Sequence, residues 1–220
     1  SGSWKEVVKP VPSESGLRQR AWVEDNRRMV DNLSGGKLAY VWVPNTSGAG
    51  FVSFNRYFFA QQDKKGAVID ERFNGGGLLD DYMVDLMNRI LGPKVLLINE
   101  MSGSGGDFFP WVFRHQKIGP LIGMQTWGGL VKSSVHYSMV DGGTLTAPDN
   151  AVYDPVSKKW IAENEGIPPD IQIRQDAVSL SKGLDPQLER AVMEALKLLE
   201  QQGEIDMAPP AFPKPAKTGM

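Results

Sequence analysis

Apolar runs that alternate with helical patterns are the feature that most constrains the fold of this chain. Four such runs read as buried strands: KLAYVWVPN (37–45), GAVIDERFN (66–74), KVLLINE (94–100) and PLIGMQTWGG (120–129). Helical patterns separate them, and this order is typical of right-handed βαβ crossovers. The sequence therefore predicts an α/β fold with a mostly parallel sheet.

Amphipathic helices are predicted before, between and after these strands. Their segments are RQRAWVEDNRRMVDNL (18–33), FVSFNRYFFAQQ (51–62), LLDDYMVDLMNRIL (78–91), GGDFFPWVFRHQ (105–116) and QLERAVMEALKLLEQQ (187–202). The second is ambiguous by propensity, but its phenylalanines fall on one helical face. Residues 135–166 carry short β-prone pieces separated by DGG, PDN and DP turns. We therefore expect a β-hairpin excursion in the C-terminal half.

Three segments are expected along the chain. Residues 1–35 form an N-terminal linker and helix, and residues 36–202 form a core that holds all the predicted strands. Residues 203–220 are proline-rich and are expected to lie on the surface or to reach a neighbour.

Composition excludes several classes of protein. The 220 residues carry a formal net charge of −2, so we expect no nucleic-acid partner and no attraction to an anionic membrane. The absence of cysteine excludes a thiolate nucleophile, a disulfide framework and a cysteine-ligated metal. No apolar run approaches the roughly 20 residues of a membrane helix. No His/Asp/Glu spacing suggests a metal site, and we expect neither metal nor cofactor.

Two glycine loops follow neighbouring predicted strands: NGGG (74–77), the first glycine loop, and SGSGGD (102–107), the second glycine loop. Sites in open parallel sheets form beyond the carboxyl ends of the strands, where these loops would meet. Acyl transfer needs an oxygen nucleophile and two N–H donors for the developing oxyanion. Ser104 fits the nucleophile, and the amides of Gly77 and Gly105 fit the oxyanion hole.

The residues alone also allow other interpretations of these loops. The first glycine loop could be only a strand-to-helix turn, and a serine between glycines is usually a loop residue. The second could be a phosphate-binding nest, although no GxxxxGK[ST] is present, and neither is a GxGxxG with a matching acidic partner.

Groups that could assist a serine are few. Glu163, in AENEGIPPD (162–170), could orient a base near Ser104, although a solvated acidic turn is the simpler interpretation. His115 falls about three helical turns beyond Ser104, and His136 lies in the predicted hairpin region. Neither histidine is a good candidate for the base, and no lysine stands in either glycine loop.

Eight stretches together, from about residue 22 to residue 200, resemble the C-terminal catalytic core of the tricorn proteases. These serine peptidases are related to the C-terminal processing proteases. The stretches are AWVEDNRR (21–28), YVWVP (40–44), VIDERFNGGG (68–77), NEMSGSGGD (99–107), LIGMQTWGG (121–129), DGGTLTAP (141–148), ENEGIPPDI (163–171) and LDPQLERAV (184–192). Their order and spacing are specific together, and no single one is.

The resemblance implies a fold and a set of roles. The fold would be a spiral, mostly parallel β-sheet with flanking helices, of the crotonase and Clp-protease type. Residues 36–202 would be a serine peptidase catalytic core with Ser104 as nucleophile, Gly77 and Gly105 as the oxyanion hole, and Glu163 in the charge relay. The family's catalytic histidine precedes a PDZ domain. This chain carries neither, so it is expected to begin after the PDZ domain.

Partners and compartment also follow from the resemblance. The substrate would be a peptide or an unfolded protein, the chain would join a homo-oligomer, and an upstream segment or another chain would supply the histidine. The resemblance favours the cytoplasm as the cellular compartment, and the periplasm is the alternative. A short path from Asn88 to Lys94 replaces a loop that shapes substrate choice in the family, so specificity does not carry over. Two rival functions are a non-catalytic peptide- or ligand-binding module and acyl-CoA chemistry on the same scaffold.

Overall fold

The four predicted strands and one further short strand form a five-stranded parallel sheet, in which the neighbours are, in order, the strands that begin at Leu38, Gly66, Lys94, Leu121 and Ile171. The computed structural model describes residues 3–7, 10–89 and 92–203. The sheet strands are β1 (Leu38–Trp42), β2 (Gly66–Asp70), β3 (Lys94–Ile98), β4 (Leu121–Gly123) and β9 (Ile171–Gln172). The helices are α1 (Ser15–Ser34), α2 (Gly48–Phe59), α3 (Asp80–Asn88), α4 (Gly105–His115), α5 (Ala177–Ser181) and α6 (Pro186–Gln202). The α/β fold class expected from the sequence is confirmed.

Two hairpins form the predicted excursion in the C-terminal half. They pair β5 (Lys132–Ser138) with β6 (Thr144–Asn150), and β7 (Tyr153–Asp154) with β8 (Lys159–Trp160). The sequence did not reveal β9 or α5. The sheet contact of β9 is only two residues long, opposite Ile122 and Gly123, so its sequence carries no strand periodicity.

Parallel register aligns the ends of the strands that carry the candidate site. Trp42 pairs with Asp70, Asp70 with Leu97, and Ile98 with Gly123. The loops after β1, β2, β3 and β4 therefore leave the sheet at one edge. Both glycine loops lie at that edge.

Apolar residues bury both faces of the sheet. On one face, Phe54 of α2, Met83 of α3 and Phe109 of α4 pack against β-strand side chains such as Ile69 and Leu96. The other face is covered by α1 and α6, through residues that include Val23, Val30, Leu188 and Val192. Burial on both faces explains why the strands are apolar throughout rather than alternating.

A buried ion network joins β2 to the start of α6. The Arg72 guanidinium donates to Asp70 Oδ1 at 2.9 Å and to Asp185 Oδ2 at 2.8 Å. Asp70 also accepts from the Tyr40 hydroxyl at 2.9 Å. Arg72 is only 3% exposed. Its charge is therefore matched on both sides, as a buried cation requires.

We expect the buried cation to be a large determinant of stability. Arg72→Leu leaves the carboxylates of Asp70 and Asp185 buried without a cation, so the free energy of unfolding should fall by about 3–5 kcal/mol. Arg28→Leu is the matched control. It removes an ion pair with Asp25 whose two side chains are 64% and 70% exposed, and should cost less than about 1 kcal/mol. Urea unfolding measures both, and equal losses would contradict the assignment.

Two further predictions from the sequence concern the C-terminal tail and membrane helices. The proline-rich tail (203–220) lies outside the described residues except for Gly203. Within the described part of the chain, no helix is both long and apolar enough to cross a membrane.

Candidate active site

Ser104 occupies a strained turn between β3 and α4. Its φ of 58° and ψ of −115° are a conformation that glycine adopts readily and other residues rarely. Such a conformation costs on the order of 1–3 kcal/mol and persists only when the surroundings hold it. Ser104 is exposed, whereas Ser102 is fully buried. A strained strand-to-helix turn that exposes one serine is how α/β hydrolases present a nucleophile.

The second glycine loop is fastened to the segment that carries the first. Ser102 Oγ donates to the carbonyl of Glu71 at 2.9 Å, and the Gly103 N–H donates to the carbonyl of Asn74 at 3.1 Å. The structure therefore brings together the two loops that the sequence placed at the same sheet edge.

Contact between the two loops is close enough to require glycine. A Cβ atom built on Gly76 would lie 2.8 Å from the Cβ of Ser104, and one on Gly105 would lie 2.7 Å from the nitrogen of Gly77. Gly77 itself has a φ of 151°, and a Cβ there would lie 2.1 Å from the carbonyl carbon of Thr46. The three candidate residues Ser104, Gly77 and Gly105 thus form one compact group.

Two amides in this group are without an acceptor. The neighbouring N–H groups are used, because Gly75 donates to Pro44 O at 3.1 Å and Gly76 donates to Asn74 Oδ1 at 2.8 Å. Within the described residues, neither the Gly77 N–H nor the Gly105 N–H donates a hydrogen bond. Free amides beside an exposed hydroxyl are the donors that an oxyanion hole needs.

Asp107 holds the nucleophile turn in place. Its carboxylate is fully buried and accepts from the Ser104 N–H at 2.9 Å, the Gly128 N–H at 2.8 Å and the Gly129 N–H at 3.0 Å. Three donors offset the loss of water around the buried carboxylate. No sequence motif predicted a role for Asp107. Its position three residues after the N-cap of α4, where an acid reaches back to the cap amide, was the available signal.

Glu163 lies on a loop joined to the same segment. Its Oε2 accepts from the Val131 N–H at 2.7 Å, and the Asn164 N–H donates to the carbonyl of Gly128 at 2.7 Å. Gly128 in turn is held by Asp107, so a chain of hydrogen bonds links the Glu163 loop to the turn of Ser104. The role of Glu163 in a charge relay stays a prediction.

Segments next to the serine in the chain or in space carry exposed apolar side chains. The Trp127 N–H donates to the carbonyl of Ser102 at 2.8 Å, and a Cβ built on Gly103 would lie 2.7 Å from the Trp127 ring. Trp127 is nevertheless 69% exposed. Other large apolar side chains of the two glycine loops and their flanks are exposed as well: Phe73, Leu78 and Met101. Sequence analysis did not single them out, because exposure is decided by tertiary contacts.

Neither histidine of the chain contacts Ser104. His115 ends α4, roughly 16 Å along the helix axis from Ser104, and stacks on Trp111 with ring centroids 4.7 Å apart. His136 is an exposed residue of β5 with no hydrogen bond to Ser104 or Glu163 among the described residues. Among those residues there is also no group of three His, Asp or Glu placed to hold a metal ion.

Comparison with known proteins agrees with this geometry. The model of peptidase family S41 matches residues 86–173. Tricorn protease homolog 1 of Streptomyces coelicolor is 34% identical over 94% of this chain and 21% of its own length. Tricorn protease of Thermoplasma volcanium is 34% identical over 84% of this chain and 20% of its own length. A crystal structure of the tricorn protease superposes with a TM-score of 0.79 at 29% identity, covering 84% of this chain and 20% of that one.

The chain is homologous to the tricorn proteases, and its residues 86–173 match peptidase family S41. The resemblance that the sequence motifs indicated is thereby confirmed. The chain spans about one fifth of the length of the curated tricorn relatives described above.

Buried acids support the first glycine loop of this tricorn homologue. Glu71 is fully buried, and burial raises the pKa of its carboxyl well above the usual range. Its Oε2 accepts from the Asn74 side-chain amide at 3.2 Å, and Asn74 Oδ1 accepts from the Gly76 N–H. Through this pair of hydrogen bonds, Glu71 holds Asn74 in the orientation that shapes the loop. Burial also raises the pKa of Asp80, in the first turn of α3, to about 7.

Asp80 should make stability fall as pH rises. An unfolded Asp titrates near a pKa of about 3.9, so between about pH 4 and pH 7 the folded state holds a proton that the unfolded state has lost. Asp80→Asn should remove this contribution, which we expect to be about 2–4 kcal/mol over that range. Urea unfolding across the range measures it, with Asp81→Asn on the same helical turn as control. Parallel stability curves for Asp80→Asn and the unmutated chain would contradict the prediction.

Proposed function

We propose that this chain is the serine peptidase core of a longer enzyme that hydrolyses peptides or unfolded proteins through an acyl-enzyme on Ser104. One observation carries the proposal. An exposed serine on a strained turn touches a glycine loop, and two amides beside it, those of Gly77 and Gly105, have no acceptor in the described structure. The match to a peptidase family supports the same chemistry.

The chemistry proceeds in two steps. Ser104 Oγ attacks the scissile carbonyl carbon while a base removes the hydroxyl proton, and the Gly77 and Gly105 amides donate to the oxyanion. Collapse of this intermediate breaks the C–N bond, and the amine leaves with the proton from the base. Water then attacks the acyl-enzyme with the same base, which releases the acid and restores Ser104.

The base must come from outside this chain. The described contacts of Ser104 include neither His115 nor His136, and the carboxylate of Glu163 accepts from the Val131 N–H rather than from the Ser104 hydroxyl. We infer that an upstream segment or another chain supplies a histidine between Ser104 and Glu163, and that Glu163 orients it. This chain matches about one fifth of the length of the curated relatives, so the rest of their length has room for such a histidine.

The remaining assignments follow the sequence motifs shared with the tricorn proteases. Residues 1–35 are the N-terminal linker and helix, residues 36–202 the catalytic core and residues 203–220 a proline-rich tail. We propose that the enzyme works as a homo-oligomer and that its compartment is the cytoplasm, with the periplasm as the alternative. Its substrate is held partly by the exposed apolar side chains around Ser104, of which Trp127 is the largest.

A non-catalytic peptide-binding module is the second candidate. It is favoured by one observation, the lack of any histidine beside Ser104 in the described structure. Turnover distinguishes the two functions. A binding module keeps its peptide affinity after Ser104→Ala and hydrolyses nothing before or after the substitution.

Covalent labelling tests the nucleophile. In the full-length protein that contains this chain, a fluorophosphonate should modify Ser104, because among the described serines it is the one with both exposure and two free amides beside it. Mass spectrometry of the digested protein locates the adduct. Ser102 is the internal control, since it is buried and donates to the carbonyl of Glu71. An adduct on Ser102 or Ser47 would overturn the assignment.

Complementation tests the missing base. The 220-residue chain alone should hydrolyse a fluorogenic peptide at least about 10³-fold more slowly than the longer protein, because its serine lacks a proton acceptor. Ser104→Ala in the longer protein is the control for serine-dependent turnover. If the isolated chain were fully active and lost that activity on His115→Ala or His136→Ala, the base would have been misplaced.

A further inference from the structure

A pocket of about 500 Å³ opens between α1 and α2, beside the outer strand β1 of the sheet. Its walls include Arg20 and Arg27 from α1, Arg56 from α2 and the indole of Trp42 from β1. No residue of either glycine loop, and not Glu163, lines it. The proposed peptidase chemistry therefore makes no use of this pocket.

Its charge is opposite to that of the chain as a whole. Glu24 is the one acid in the wall, and it is already engaged, since it accepts from Arg27 at 3.0 Å and from the Tyr57 hydroxyl at 2.9 Å. Arg20 and Arg56 form no ion pair within the described residues, and both lie near enough to Tyr57 to act on its phenol electrostatically. The wall thus has two uncompensated positive charges in a chain whose net charge is −2.

Trp42 adds an unused hydrogen-bond donor to the same wall. Its side chain is 8% exposed, and its indole Nε1–H has no acceptor among the described residues. A buried donor left without a partner costs about 1–3 kcal/mol. An oxygen atom of a bound ligand would satisfy it.

The edge of β1 beside the pocket already binds an amide. The Gln61 carboxamide, which also lines the pocket, accepts from the Tyr40 N–H at 3.3 Å and donates to the Tyr40 carbonyl at 2.9 Å. A peptide group laid against an open strand edge makes this same pair of bonds. Gln61 therefore already satisfies the Tyr40 groups, and the arginines of the pocket are the groups left to bind the carboxylates of a peptide.

We propose that this pocket is a binding site for an acidic peptide segment. Its carboxylates bind Arg20 and Arg56, because guanidinium groups match carboxylates in geometry and charge. One of its oxygens accepts from Trp42 Nε1–H. The site is independent of Ser104 and of the proposed peptidase activity.

Calorimetric titration tests the proposal. An acetylated, amidated hexaglutamate peptide is titrated into the chain carrying Ser104→Ala, which prevents turnover, at about 0.05 M salt. We expect saturable binding that weakens at higher salt, and none with hexalysine. Arg20→Gln with Arg56→Gln should weaken binding at least roughly tenfold, and Trp42→Phe by a similar factor.

Controls separate this site from general attraction. Arg28→Gln lies on α1 but outside the pocket wall, and should change the affinity less than about twofold. Circular dichroism and the thermal midpoint verify that each variant is folded. If the peptide did not bind, or if Arg28→Gln weakened its binding as much as the pocket variants do, the proposed site would be wrong. Tripolyphosphate binding as tight as that of the peptide would overturn the peptide assignment and show a general anion site.

Discussion

The buried carboxylate of Asp107 is the interaction on which the candidate site depends. It accepts from the amide of Ser104 on one side and from the amides of Gly128 and Gly129 on the other. Through Gly128 it also fixes the loop that carries Glu163. A strained serine persists only where its surroundings hold it, and three hydrogen bonds to a fully buried anion do so. Hydrogen bonds therefore hold together the turn of Ser104, the segment after β4 and the loop that carries Glu163.

Around this unit the fold keeps several polar groups buried at a cost in stability. Glu71 and Asp80 lie beside the first glycine loop with raised pKa values, and the turn of Ser104 is strained. The apolar faces of the sheet and the ion network of Arg72 stabilise the framework that holds them. Strain and buried acids near the site, with well-packed layers elsewhere, are the usual pattern in enzymes.

The two proposed sites depend on different kinds of interaction. At Ser104, the free amides and the exposed apolar side chains suit a peptide bond, and the peptide needs no charged groups to bind there. Beside β1, the uncompensated arginines suit carboxylates instead. Since the site proposed at Ser104 and the pocket of Arg20 and Arg56 share no lining residue, binding at one can be measured with the other disabled.

The sequence by itself determined the order of strands and helices, the two glycine loops and the family motifs, because these signals are local in the chain. It also placed Ser104, Gly77 and Gly105 at one sheet edge, since parallel strands align their carboxyl ends. Tertiary structure decided the rest. The roles of Asp107 and Asn74, the two-residue strand β9 and the arginine pocket arise from contacts between distant segments. Such contacts leave no periodicity in the sequence, because packing rather than local preference creates them.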